Sequence, residues 1–297
     1  PPYHVRRGIL QTLWPWPGRP RGGKFYTGTE VKAAAPLPDK DDGTYEMLYE
    51  TFNRLLAQWT DSAARLSAFE ELIELRAGTL IGCVLDGLRI DMEGAIEILR
   101  GKNDFTTDLE RRRRDILVAG LENMIDFAAA EEYTMLCEIP ANIEERDMEH
   151  YDRIFKRYNG YTAEQENLDA RFAAAMAAWW ITVSEESILT FMTQGDERVR
   201  PWHASLEGVS YPKRVFPAEL IPPIEHGCRC YLTATGFGTV NGAIRETSAE
   251  IRINPTFRES LCRGGRIFAA EHPYFRRPLS PSVRQTVRRI KQKFNIA

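Results

Sequence analysis

From Thr44 to about Phe191, apolar residues recur at helical spacing. Leu48, Phe52, Leu55, Leu56 and Trp59 share one face of a first amphipathic helix. A second helix is predicted over about 61–77. A third covers "LIGCVLDGLRIDMEGAIEILRG" and stops at Gly101, a residue suited to a helix end. The fourth is long, "DFTTDLERRRRDILVAGLENMIDFAAAEEY", with Leu117, Leu121, Ile125 and Ala128 along one stripe. The fifth begins in "IPANIEERDMEHYDRIFKRY", with Pro140 near its start and Asn142 as cap. A turn at "NG" and a capping box from Thr162 to Gln165 then open a sixth. Its face runs Leu168, Phe172, Met176, Trp179, Val183, with Trp179 and Trp180 expected in the core.

After about residue 192, Gly, Pro and short β-prone runs replace this periodicity. "CRCYLTATG" and "AEIRINP" read as short strands. The expected fold is mainly α: an elongated helical bundle followed by a small, loop-rich α+β module. Four segments follow. Residues 1–43 form an extended basic arm rich in Pro and Gly, 44–191 the helical domain, 192–240 a compact motif module, and 241–297 strands, loops and a basic tail.

Composition narrows this picture slightly. The chain has 297 residues, 43% hydrophobic and 27% charged, enough for a real core. A net charge of −3 makes no global case for nucleic acid or membrane. No uninterrupted apolar run approaches the roughly 18 residues of a membrane helix. Five unevenly spread cysteines argue against a disulfide scaffold and for a reducing compartment; Cys83 and Cys137 are expected as buried thiols.

Charge is distributed unevenly. "RRRR", 111–114, is spread around its helix and should be solvated or paired with nearby acids. Near the end, Arg284, Arg288, Arg289, Lys291 and Lys293 lie in a stretch with no acid, a basic helix able to meet DNA or an acidic partner surface. No internal repeat, Walker loop, GxGxxG, GxSxG or HExxH motif occurs.

The chemistry concentrates in "DERVRPWHASLEG", 196–208, and "PPIEHGCRC", 222–230. In a strand His226, Cys228 and Cys230 would share one face, and His203 could supply a fourth ligand for a structural zinc ion. The same residues also suit a metal-free hydrogen-bonded cluster, or a Cys–His dyad polarised by Asp196. Asp196 and Arg200, four apart, read as an ion pair orienting the loop, and Gly208 as a turn residue.

These segments carry a resemblance. Asp196, Val199, Arg200, His203, Leu206, Gly208, Pro222, Pro223, Gly227, Cys228, Arg229 and Cys230 follow a pattern that resembles the Mu F-like minor head, or head-morphogenesis, family of tailed phages. Where many relatives carry C-x-x-C, this chain has Arg200 and His203. The resemblance implies a structural virion protein rather than an enzyme. It would assemble in the host cytoplasm and sit in the capsid at or near the portal vertex, in several copies. Portal protein, major capsid protein and packaged DNA would be its partners, with no membrane involved. The alternative is an enzyme (nuclease, protease or toxin-like domain) built on residues 190–297.

Overall fold

The computed structural model describes residues 43–101, 107–144, 147–235 and 253–296. The expected basic arm, Gly43 apart, and most of "AEIRINP" lie outside these residues. Within them the protein is mainly α, with eight helices and one small antiparallel sheet.

Helix α1, Thr44–Ala57, buries Leu48, Phe52, Leu55 and Leu56, as its spacing predicts. Helix α2, Ser62–Leu88, begins at Asp61, whose carboxylate accepts from the Ala63 and Ala64 amides. The sequence suggested a break near residue 78. The structure has none, because Ala77, Gly78, Leu80 and Ile81 continue the buried face. The chain turns instead at Arg89, in the left-handed region, and Asp91 caps α3, Met92–Arg100. Helix α4, Asp108–Leu136, starts from a reciprocal capping box between Thr107 and Glu110.

Helix α5 covers Met148–Lys156 and α6 Ala163–Trp180. The turn expected at "NG" is a π-helical turn, Arg157–Thr162, that joins them without reversing the chain. Thr162 has helical backbone angles and makes no side-chain cap, so the predicted capping box is absent. Tyr158 and Asn159 are buried there, and their packing overrides the local turn preference. Pro140 and Asn142 precede α5 without starting it.

The long α2 is central and packs against α6, α4 and α1. At the α2–α6 crossing, Gly87 is a contact point. A Cβ there would fall inside contact distance of the Arg171 carbonyl and 2.7 Å from Ala174 Cβ. Gly87→Ala is therefore expected to cost about 3 kcal/mol, near the top of the overpacking range. Urea unfolding measures it, and a loss below about 1 kcal/mol would mean the helices separate freely.

Arg76 of α2 is 1% exposed among these apolar neighbours. Its Nε donates to Glu131 Oε2 at 2.6 Å, Nη2 to Glu166 Oε2 at 2.9 Å and Nη1 to Asn167 Oδ1 at 2.6 Å. Burial disfavours the guanidinium charge, but Glu131 and Glu166 outweigh that and hold it on. Beside them Glu132 is fully buried with both carboxyl oxygens unpartnered.

After α6 the chain forms the sheet. Strand β1, Ile188–Met192, is central; β2, Ser210–Pro212, and β3, Tyr231–Thr235, flank it antiparallel. Leu189 and Phe191 turn inward from β1. The one-turn helix α7, Pro201–Ala204, lies between β1 and β2. The final helix α8, Pro281–Lys293, returns to pack on α4 and α2. One apolar cluster runs from Leu48 to Phe294, so the sheet region and the bundle share a core.

Candidate metal centre

The pairing of Met192 with Tyr231 sets the end of β1 beside the start of β3. It brings residues 193–200 against 226–230, and Gln194 Nε2 donates to the Arg229 carbonyl at 2.8 Å. Asp196 then pairs with Arg229 through two bonds, at 2.6 and 2.7 Å. The Arg229 guanidinium holds the Asp196 carboxyl below its ordinary range. Asp196 does not pair with Arg200. Four-residue spacing joins side chains only on a helix, and this stretch is a turn, with the Arg198 amide donating to Asp196 Oδ1.

Arg200 reaches the second segment instead. Its Nη2 donates to the His226 carbonyl at 2.8 Å, and its Nε lies 3.3 Å from Glu225 Oε2. Trp202 Nε1 donates to the same carboxylate oxygen at 3.2 Å. His203, 2% exposed on α7, places Nε2 3.1 Å from it. Gly208, at φ 81°, sends the chain back so that its amide bonds to the Phe191 carbonyl at 2.8 Å.

The Glu225 contact fixes the role of the imidazole. With Nε2 donating to the carboxylate, Nδ1 presents its lone pair to the thiols. Nδ1 lies 3.3 Å from Cys230 Sγ and 3.9 Å from Cys228 Sγ. The three ligand atoms fall within 4.8 Å of one another, and all three residues are buried. A tetrahedral ion with ordinary bond lengths puts sulfur and nitrogen about 3.6 Å apart, between the two distances observed. A carboxylate on the remote nitrogen is also the usual device for orienting a metal-binding histidine. His203, Cys228 and Cys230 could thus hold a metal ion.

The two thiols shift in opposite directions. Cys228 is held well below its ordinary range by a hydrogen bond from Cys230, which in turn is pushed up.

His226, expected to share a face with the two cysteines, points elsewhere. Residues 226–230 form no strand, since β3 begins only at Tyr231. Gly227 takes φ 67°, which breaks the alternation that would have aligned His226 with the cysteines. His226 Nδ1 lies 3.1 Å from Asp169 Oδ2, on α6. The same carboxylate accepts from the Gly227 amide at 3.0 Å and from Gln165 at 3.0 Å. Burial raises the Asp169 pKa against these donors. A Cβ on Gly227 would stand 3.2 Å from Gln165 Oε1, so this position anchors the loop to the bundle by close approach. Pro222 and Pro223, joined by a cis bond, lead into it.

The basic tail is largely consumed inside the protein. Arg289 pairs with Glu70 at 3.0 Å, Lys293 with Glu74 at 2.9 Å and Lys291 with Asp126 at 2.8 Å. Arg284 donates to the Leu279 carbonyl, and it and Arg288 are exposed. In "RRRR", Arg111 pairs with Asp108 and Arg112 with Glu185, as solvated positions would. Cys137 is exposed and Cys83 half-buried, so neither is the buried thiol expected.

Sequence reasoning missed Glu225 and Asp169. Glu225 sits inside the quoted motif and could have been found as an acid beside a histidine–cysteine group. Asp169 lies on a helix more than fifty residues away, and nothing local marks it.

No family model and no solved structure matches the chain. A 43-residue stretch is 46% identical to an uncharacterized protein of Methanocaldococcus jannaschii. That match covers 14% of this chain and 7% of the archaeal protein, too little to carry fold or function. Among the described residues no helix is long and apolar enough to cross a membrane.

Proposed function

We propose that this protein is a structural minor head protein of a tailed phage, and that residues 196–230 form a zinc-stapled knot, itself anchored to the helical bundle through Asp169. The observation that carries this reading is how the motif residues are used. Asp196 and Arg229 bind each other, Arg200 and His203 meet on Glu225, and His203, Cys228 and Cys230 converge. Gly208 and Gly227 supply the turns that make this possible. The polar groups are spent on one another, as in a device that holds a shape. That mutual pairing favours a structural role over a nuclease or protease built on residues 190–297.

Zinc suits the donor set of one imidazole and two thiolates. Bound there, it would tie α7 to the turn before β3. Portal protein, major capsid protein and packaged DNA are the partners this reading names. Arg284 and Arg288 are the tail residues left facing solvent for an acidic surface.

Co-expression of the full chain with portal and major capsid proteins tests the reading. The chain is expected to sediment with assembled heads, and deleting residues 1–43 to reduce its incorporation several-fold. Heads that assemble normally without taking up the chain would overturn it.

A further inference from the structure

We infer that a metal ion in this knot keeps its fourth coordination position open, and that the position takes a water or a small inorganic anion. The inference rests on the metal reading of the same site and adds to it. Zinc seeks four ligands, and among the described residues only His203, Cys228 and Cys230 bring ligand atoms together here. Two further candidates, His226 and Glu225, are both committed. His226 is held on Asp169. Glu225 faces His203 from Nε2, on the opposite edge of the ring from Nδ1, and is also bound by Trp202 and Arg200.

What adjoins the ligands is space. A small pocket is lined by His203 and Cys230 themselves, with Gln194, Arg198, Arg200 and Arg229 around it. Arg229 and Arg200 are answered there by the carboxylates of Asp196 and Glu225, and Arg198 lines the same space. Guanidiniums beside an open position favour hydroxide or a small inorganic anion. Three protein ligands plus an exchangeable one is the arrangement that distinguishes open zinc sites from closed four-ligand ones.

The full chain reconstituted with Co²⁺ provides the test, with azide as the probe. Thiolate-to-cobalt charge-transfer absorption reports metal binding through the cysteines, independently of the fourth position. Titrating azide is then expected to shift the visible ligand-field bands saturably while the charge-transfer band persists. A charge-transfer band with ligand-field bands indifferent to azide would mean a fourth protein ligand, and would overturn the inference while leaving the metal reading intact. Absence of the charge-transfer band would remove both. His226→Gln separates one further case. It is expected to leave the cobalt spectrum unchanged, whereas a changed spectrum would make His226 the fourth ligand and the position closed.

Discussion

Arg76→Ala is expected to destabilise the protein by about 3–5 kcal/mol, the cost of stripping one partner from a buried ion pair. Glu131 and Glu166 are 0% and 1% exposed, and both face the same guanidinium. Without it, two carboxylates remain in an apolar core with no counter-charge. Burial and the Glu131 charge already push the Glu166 pKa well above its ordinary value, and Arg76 is what opposes them. The folded state would answer by protonating or by opening α2 away from α4 and α6. Against a typical total stability of about 5–15 kcal/mol, this is enough to lower the urea midpoint sharply. Removing all three charges together, with Arg76→Met, Glu131→Leu and Glu166→Leu, is expected to recover much of the loss, because the penalty lies in the unpaired charges. A single Arg76→Ala within 1 kcal/mol of the unaltered protein would show that solvent reaches the cluster.

Glu132 gives the same cluster a pH signature. Burial, then the Glu131 charge, push its pKa from 4.5 to about 8. The folded protein therefore holds this proton more tightly than the unfolded chain does. Stability from this group is fully present below about pH 4.5 and is lost as pH rises towards 8. Glu132→Gln should flatten that slope in urea midpoints measured against pH.

The sequence exposed some of this architecture readily. Where burial follows one face of one helix, spacing suffices: Leu48, Phe52, Leu55 and Leu56 were legible, and so was the stripe on α4. Where tertiary packing decides, it was not. The break after Leu88 and the π-helical turn at Arg157–Thr162 both oppose a local preference, and the bundle overrides it. The site divides in the same way. Of the four ligands that residue types suggested, three converge, since imidazole and thiolate recur within a few positions. The orientation of His226 depends on Gly227 and on Asp169, one a backbone angle and the other a remote helix position. Arg76 was hidden for a related reason: a lone charge on an apolar stripe looks like a helix edge until the acids facing it are placed.

Stripping metal from the full chain, or replacing Cys230 with serine, is expected to lower the melting temperature on the order of 10 °C. An ion present at a thousandfold excess over its Kd contributes about 4 kcal/mol, and for a chain of this size each kcal/mol moves Tm by roughly 2–4 °C. The loss should be local at first. His203 and both cysteines sit in a segment of short strands and turns whose hydrogen bonds alone cannot replace a covalent-like staple, so 193–235 should exchange its amides faster while α2, α4 and α6 stay protected. Hydrogen exchange distinguishes this from global unfolding. The pH dependence runs opposite to that of Glu132. Metal binding needs both thiolates and a neutral imidazole, so its contribution is present at high pH and disappears as acid protonates them. Metal-loaded protein should therefore show the Glu132 slope partly cancelled, and apo protein should show it bare. Identical melting of the two forms across that range would mean that Asp196, Arg229 and Glu225 hold the knot without an ion.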